Sequence, residues 1–188
     1  QRPELKIVLD AGCTITATNL TEMLNYEQPA MLGRLVKHGS VPSLGTDCDP
    51  YFNSSMLAVT RHAFLHQREL DNRSLWHAGQ WPAKTQHSTL TRDALYWATM
   101  GGAKAFGLDK KVGSITPGKQ ADLVMFDCRT MNIFPALPGG NAAHIVVLYA
   151  ETSDIENVLV AGNFVKRNGQ LTFDAKRLEQ RIRPANPS

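Results

Sequence analysis

The sequence predicts an α/β fold that is followed by a β-rich segment. Up to about residue 108, short runs of β-forming residues alternate with runs that have helical periodicity. Strands that alternate with helices usually pair in parallel through right-handed crossovers, which gives an α/β layer or a barrel. After Gly107 the pattern changes to β-rich runs separated by turn dipeptides, so a mainly β segment is expected there.

The first predicted elements are a strand, a helix and a second strand. CTITATN, residues 13–19, predicts the first strand. PAMLGRLVKHG, residues 29–39, predicts a helix with proline near its start and Gly39 as its C-terminal stop. PSLGT, residues 42–46, predicts the second strand.

Two further helices complete the α/β part. One is predicted from about residue 54 to residue 69, with Asn53 or Ser54 as its N-cap, because short polar side chains satisfy free backbone N–H groups there. A polar connection at residues 71–88 follows it. The second helix is predicted over residues 91–106, with Thr91 as its N-cap.

The second part of the chain is predicted to be mostly strands. Residues 112–126 predict an antiparallel hairpin that turns at Pro117-Gly118, because two β-rich runs flank a turn dipeptide. HIVVLYA, residues 144–150, and residues 156–172 add three more strands, and Asn168-Gly169 is a strong hairpin signal. The predicted division is an α/β part at 1–108, a β part at 109–173, and a charged helix with a frayed tail at 174–188.

Composition excludes several classes of protein. Of the 188 residues, 43% are hydrophobic and 20% charged, which is ordinary for a globular protein. The net charge of +3 is spread along the sequence, so no nucleic-acid partner is expected. The apolar stretches are far shorter than the ~20 residues of a membrane helix, and the start lacks the apolar region of a signal peptide. We therefore expect a cytoplasmic protein without a membrane partner.

Cysteine usage gives no sign of a disulfide framework. Cys13, Cys48 and Cys128 are odd in number and widely spaced, and the sequence has no CxxC pair. This pattern also argues against a thiolate zinc site. The three thiols are expected to stay reduced.

The stretch VPSLGTDCDP, residues 41–50, places acids where a buried strand ends. An apolar run stops at Gly45 and is followed by Asp47 and, two residues on, by Asp49. A carboxylate after a strand either accepts backbone N–H groups in a turn or serves as a metal ligand. Pro50 indicates that the chain has left the strand by then, so Asp49 is expected to be a loop acid.

Four motifs in this order resemble a known family. They are GTD at residues 45–47, LTRDALYWATMGGAKAFGL at 90–108, VGSITPGKQADLVMFD at 112–127 and VLVAGNFVKRNGQL at 158–171. The ordered set is similar to the C-terminal portion of the metal-dependent amidohydrolase superfamily, in its cytosine deaminase-like and triazine hydrolase-like branch. The resemblance covers nearly all of residues 8–172.

The resemblance implies the last part of a (β/α)8 TIM barrel and the C-terminal strands of a small composite β-sandwich. Residues 13–19 then resemble the seventh barrel strand and residues 42–46 the eighth. Asp47 would be a ligand of one divalent metal, zinc or iron, and would also act as the acid and base of the reaction. The implied activity is hydrolysis of non-peptide C–N bonds in cyclic or heteroaromatic amidines or amides, with a metal-activated water as nucleophile.

A few other side chains are candidate substrate or metal contacts. Asn19, Glu22 and Asn53 could face a small-molecule substrate, although a turn residue, a solvated loop acid and an N-cap are the respective alternatives. His62 and His66 are spaced i, i+4 and share a helix face, which can bind zinc. Because the Glu of an HExxH motif is missing, an outer helix surface is the favoured interpretation of that pair.

The resemblance also implies that much of the enzyme is not in this sequence. At most two barrel strands are present, and the histidines and lysine that the family places on other strands have no counterpart here. The isolated chain is therefore expected to be inactive, to hold no metal tightly, and to self-associate or pair with the missing N-terminal part. The alternative function is that of a non-catalytic structural module.

Overall fold

The structure is a computed structural model, and it describes residues 3–27, 29–47, 55–80, 89–136 and 139–174. Its first part alternates helices with two short strands. The elements in chain order are α1 (Pro3–Asp10), β1 (Thr16–Ala17), α2 (Asn19–Asn25), α3 (Met31–Lys37), β2 (Ser43–Leu44), α4 (Met56–His77), α5 (Thr91–Tyr96), a π-helical turn (Trp97–Gly101) and α6 (Gly102–Ala105).

Strands β1 and β2 form a parallel ladder, as their separation by helices predicts. Thr16 pairs with Ser43 and Ala17 with Leu44. The strands are shorter than predicted, because Asn19 at the end of the first run already belongs to α2. The predicted order of strand, helix, strand and helix is nevertheless confirmed.

The hydrophobic core lies between this ladder and the helices around it. Ala17 of β1 is fully buried and packs in one cluster with residues of α3, α4, α5 and a later helix, α7 (Ala142–Leu148). The buried members of the cluster are Ala17, Leu32, Ala63, Phe64, Ala94, Trp97 and Val147. Burying such side chains contributes roughly 1.5–3 kcal/mol for each large one, so this layer holds the strand ends in place.

Two predicted helix boundaries need correction. Helix α4 is capped by Ser55, whose side chain accepts the N–H of Ala58, whereas Asn53 and Ser54 lie outside the described residues. The helix continues to His77, so residues 71–77 are helical instead of part of a polar connection. An i, i+4 ion pair between Glu69 and Arg73 supports this extension.

The predicted helix over residues 91–106 is confirmed, but its middle is π-helical instead of α-helical. The N-cap position is Leu90 and not Thr91, and the Leu90 N–H donates to Asp93 Oδ2 at 2.7 Å. Residues Trp97–Gly101 form a π-helical turn before α6 resumes. Gly101 lets this turn approach β2, because a Cβ built on it would lie 2.4 Å from the carbonyl oxygen of Pro42.

The second part is an antiparallel sheet with one helix before its longest strand. The elements are β3 (Leu123–Phe126), a short 3-10 turn (Phe134–Ala136), α7 (Ala142–Leu148), a second 3-10 turn (Thr152–Asp154), β4 (Ile155–Val160), β5 (Asn163–Arg167) and β6 (Gln170–Leu171). The four strands follow the order β3-β4-β5-β6. The predicted hairpin at Asn168-Gly169 is confirmed, since both residues have positive φ, 51° and 79°.

Two strand predictions in this part are wrong. Residues 112–126 do not form a hairpin, because β3 pairs with β4 across the chain, with Leu123 opposite Leu159. The residues before β3 form turns, and Gly118 has a φ of 90° as the turn dipeptide requires. Residues 144–150 belong mainly to helix α7. Its N-cap Asn141 accepts the N–H of Ala143 at 2.9 Å, and this cap prevails over the β-propensity of the run.

Two other predictions concern the C-terminal tail and membrane-spanning helices. The charged helix predicted from residue 174 falls almost wholly outside the described residues, which end at Asp174. Across the described ranges, the structure has no helix long and apolar enough to cross a bilayer.

Arg61 joins helix α4 to the segment between α7 and β4. Its guanidinium donates to the carbonyl oxygen of Val147 at 3.0 Å, to that of Ala150 at 2.7 Å, and to the carboxylate of Glu151 at 2.6 Å. The two carbonyls come from residues that are almost fully buried. Cations at a helix C-terminus are stabilising because they interact with its free carbonyl groups.

We expect Arg61→Met to lower the free energy of unfolding by about 1.5–3 kcal/mol, because the chain loses charge-assisted hydrogen bonds and leaves carbonyl groups without a donor. Urea unfolding would measure the loss. Arg73→Met on the same helix is the matched control, because Arg73 pairs with Glu69 at the surface, where an ion pair contributes about 0.3–0.5 kcal/mol. Equal losses for the two variants would contradict a structural role specific to Arg61.

Candidate active site

The carboxyl ends of β1 and β2 meet at one edge of the parallel ladder. Thr18 and Asn19 follow β1, and Gly45, Thr46 and Asp47 follow β2. The N–H of Gly45 donates to the carbonyl oxygen of Ala17 at 3.0 Å, which keeps the two chain segments together just beyond the strands. In parallel α/β folds, ligand sites form at this edge.

Asp47 lies at this edge in an uncommon backbone conformation. Its side chain is exposed and its φ is 63°, in the left-handed region. Asp and Asn adopt this region more readily than other non-glycine residues, but it is still uncommon for them. Such conformations cluster at functional sites, so the backbone of Asp47 independently marks it as a candidate functional residue.

The two faces of the ladder have different environments. Thr16 and Ser43 are register partners, and their hydroxyl oxygens are 2.7 Å apart, so they share one face. Gly45 lies on the same face, because a Cβ built on it would be 3.1 Å from the methyl of Thr16 and 3.3 Å from that of Thr18. Ala17 points the other way, into the helix-packed core.

Asn19, a predicted substrate contact, is fully buried in the structure. Its side-chain Nδ2 lies 3.1 Å from Nδ1 of His62, on helix α4. The Asn19 amide therefore contacts helix α4, which packs beside the ladder. A contact between Asn19 and substrate stays a prediction.

Glu22, the second predicted contact, satisfies backbone groups of two helices. Its Oε1 accepts the N–H of Thr18 at 2.7 Å at the start of α2, and its Oε2 accepts the N–H of Met31 at the start of α3. A carboxylate at a helix N-terminus is stabilised by the helix dipole. These bonds fix the turn after β1. The third predicted contact, Asn53, and the loop acid Asp49 lie outside the described residues.

His62 and His66 lie at an interface between helices, and the prediction of an outer helix surface is wrong. Both side chains are partly buried, and their rings stack with centroids 6.3 Å apart and planes 8° apart. Burial, and then the charge of His66, lowers the pKa of His62 below its ordinary value of 6.5. Sequence reasoning noted the i, i+4 spacing but missed the partner, because Asn19 is distant along the chain.

The described residues do not by themselves form a zinc centre. No group of three or more His, Cys, Asp or Glu side chains positioned for a metal occurs among them. A catalytic zinc usually has three protein ligands and an open position for water. The exposed carboxylate of Asp47 fits one such ligand, so further ligands would have to come from outside the described part.

A surface groove of about 1010 Å³ lies elsewhere, between helices α4, α5 and α7. Its walls include Phe64, Arg68, Trp76, Leu90 and Leu148. Of the predicted site residues that the structure describes, Asp47, Asn19 and Glu22 do not line it. The groove and the strand-end carboxylate are therefore separate features of the molecule.

Comparison with known proteins places this arrangement in a family. The sequence profile of the amidohydrolase family matches residues 4–165, which is most of the chain. The chain therefore belongs to the amidohydrolase family, as its motifs predicted.

The chain is also similar to a curated enzyme and to two solved structures. The chain is 33% identical to the 5-methylthioadenosine/S-adenosylhomocysteine deaminase of Acetivibrio thermocellus, over 96% of the chain and 39% of that protein. An adenosine deaminase from Xanthomonas campestris with bound zinc is 21% identical with a TM-score of 0.76, over 96% of this chain and 38% of that one. The atrazine chlorohydrolase of Arthrobacter aurescens complexed with zinc is 19% identical with a TM-score of 0.77, over 96% and 37%.

The two structural similarities establish the fold as that of the corresponding part of these barrel enzymes. The chain spans about two fifths of the length of each of these proteins, so the activity of a whole enzyme is not established by the similarity alone.

Proposed function

We propose that this chain forms the last barrel strands and the strand-end aspartate of a metal-dependent hydrolase that acts on non-peptide C–N bonds. The observation that carries the proposal is the position of Asp47, exposed at the carboxyl end of the parallel ladder in a chain of the amidohydrolase family. Catalytic residues of barrel enzymes come from this edge. Because the chain spans about two fifths of its relatives, the proposal concerns a longer protein that contains it.

Asp47 would perform acid and base chemistry in this enzyme. A zinc or iron ion, when bound in the whole protein, would supply a water whose pKa is lowered toward neutrality. The carboxylate of Asp47 would take the proton of the attacking water and return it to the leaving nitrogen. The bond to oxygen forms at the ring carbon, the C–N bond breaks, and ammonia leaves.

The substrate class that we propose is an adenine nucleoside. The curated relative described above is named for the deamination of 5-methylthioadenosine and S-adenosylhomocysteine, and a structural neighbour is named an adenosine deaminase. The ring that carries the amino group in these substrates is a heteroaromatic amidine. Asn19, Glu22 and Asn53 remain the proposed substrate contacts, the first two acting from the turn after β1.

We also propose that the two parts of the chain have different structural roles. Residues 1–108 would complete the barrel, and residues 109–173 would supply strands of a composite β-sandwich whose other strands lie elsewhere in the longer protein. Several apolar side chains of the sheet support this, because Val124, Val160 and Leu171 are each about half exposed. The isolated chain would therefore pair with the rest of the protein or with itself.

The test is ammonia release by the whole protein from adenosine and 5-methylthioadenosine, with chloride release from a chlorinated triazine as the comparison. We expect turnover of the nucleosides, loss of activity after chelation, and recovery when zinc or iron is added back. Elemental analysis of the isolated 188-residue chain should find almost no tightly held metal. Ammonia release that survives complete metal removal would overturn the proposed mechanism, and absence of ammonia release from both nucleosides would overturn the proposed substrate class.

A further inference from the structure

We propose that His62 is a positioning residue for the candidate site: its neutral imidazole accepts the amide N–H of Asn19 and holds the turn after β1 in place. This inference rests on the proposed function, because the turn matters for catalysis only if the edge of the ladder is the active site. His62 itself lies on α4, in the helix layer, and would act through Asn19.

The buried amide of Asn19 needs this acceptor. Asn19 is fully buried, and His62 Nδ1 is 3.1 Å from its Nδ2. Among the described residues, Nδ2 also makes a weak contact with the sulfur of Met23 at 3.8 Å. Within the described residues, Oδ1 of Asn19 has no hydrogen-bond partner. Loss of the imidazole would leave both ends of a buried amide unsatisfied, which is costly.

The hydrogen bond requires one protonation state of His62. Nδ1 can accept only when it carries no proton, so the neutral ring must have its hydrogen on Nε2. A protonated ring has donors at both nitrogens and would present an N–H to the amide N–H of Asn19. Acidification would therefore replace an attractive contact with a repulsive one.

The surroundings of His62 favour the neutral form. Burial is the main cause of its lowered pKa, and the stacked ring of His66 is the second. Burial also lowers the pKa of His66, with Glu69 raising it, Arg73 lowering it, and Glu22 of α2 raising it. On the α3 side, the uncharged Gly33 faces α4 opposite Gln67 and Leu70, next to the apolar Leu32, which packs in the core cluster.

A short path of contacts connects Asn19 to Asp47. Asn19 follows Thr18, whose N–H and hydroxyl both donate to Glu22. The methyl of Thr18 lies beside Gly45, on the ladder face that carries Thr16 and Ser43, and Gly45 is two residues before Asp47. Displacement of the Asn19 amide would therefore move Thr18. Thr18 packs beside Gly45, in the segment that leads to the proposed catalytic carboxylate of Asp47.

The experiment compares His62→Leu, which removes the acceptor, with His62→Gln, whose carbonyl oxygen can accept from Asn19. His77→Gln is the matched control, because His77 lies on the same helix and is exposed. All variants are made in the whole protein. We expect His62→Leu to lower kcat/KM about tenfold, as loss of a buried acceptor implies, while His62→Gln and His77→Gln stay within about twofold of the wild type.

The pH dependence separates positioning from simple packing. Because the folded-state pKa of His62 is lowered, the neutral contact is intact above its ordinary pKa of 6.5 and is lost as the pH falls through the folded value. We therefore expect the acid limb of kcat/KM, and the fall of Tm on acidification, to lie at lower pH in His62→Gln than in the wild type. Both curves of His77→Gln should coincide with those of the wild type.

Several results would overturn the positioning role of His62. They are a Gln variant as impaired as the Leu variant, a Leu variant as active as the wild type, or acid limbs that coincide in His62→Gln and wild type. If the whole protein releases no ammonia, the proposed function fails. The catalytic positioning role then fails with it, and Tm tests only the contact between His62 and Asn19: a difference between His62→Gln and wild type in acid supports that contact, and coincident curves overturn it.

Discussion

Replacing Asp47 with Asn in the whole protein should lower kcat/KM by at least about 10²–10⁴-fold, the contribution that general acid and base catalysis usually makes. The amide of Asn cannot take the proton of the attacking water and is a poorer metal ligand than a carboxylate. We expect the metal content of the variant to fall as well, because Asp47 is proposed as one of the ligands. Ammonia release and elemental analysis would measure the two losses.

Asn is the informative substitution because of the backbone at position 47. The φ of 63° is tolerated by Asp and Asn, whereas Ala in this conformation costs roughly 1–2 kcal/mol through contact of its Cβ with the backbone. Asp47→Ala would therefore mix a loss of chemistry with a loss of stability. Asp47→Asn removes the charge and leaves the conformational preference nearly unchanged.

Asp10→Asn is the control for the loss of one exposed carboxylate. Asp10 ends helix α1 and pairs with Lys6 at the surface, with more than half of each side chain exposed. A surface pair of this kind contributes about 0.2–1 kcal/mol, and the variant should keep wild-type turnover. An Asp47→Asn enzyme with turnover and metal content equal to those of Asp10→Asn would contradict the role proposed for Asp47.

Local signals in the sequence predicted the elements whose ends depend on single residues. Gly39 follows α3 with a φ of 71°, and Asn168-Gly169 turns between β5 and β6, because both positions need positive φ and glycine adopts it without strain. The GTD motif likewise led to Asp47 at the edge of the ladder. These features depend on a few neighbouring residues, so the sequence contains what is needed to find them.

The features that the sequence did not reveal depend on distant partners. Strand β3 pairs with β4 instead of with residues just before it, and nothing in residues 112–126 specifies that partner. The run 144–150 has strand propensity, but an N-cap at Asn141 and packing of Val147 in the core make it helical. The contact between Asn19 and His62 likewise joins two elements that only the tertiary fold brings together.

The turn that contains Gly113 should be the most sensitive backbone position in the second part of the chain. Gly113 has a φ of 90°, and a Cβ built on it would lie 2.7 Å from Cβ of Ala103 and 2.9 Å from the sulfur of Met100. A side chain there would be strained by its backbone and would also press this turn away from α6 and the π-helical turn. The turn is otherwise held by the N–H of Gln120, which donates to the carbonyl oxygen of Lys111 at 2.8 Å.

Gly113→Ala should lower the free energy of unfolding by about 3 kcal/mol, of which roughly 1–2 comes from positive φ and roughly 1–3 from overpacking. Gly118→Ala is the matched control, because Gly118 has the same φ of 90° and no atom within 4 Å of a Cβ built on it. Gly118→Ala should lower the free energy of unfolding only by the cost of positive φ, about 1–2 kcal/mol. Urea unfolding of the two variants therefore isolates the packing of this turn against Ala103 and Met100. Equal losses would mean that the turn does not pack against the helices as the structure places it.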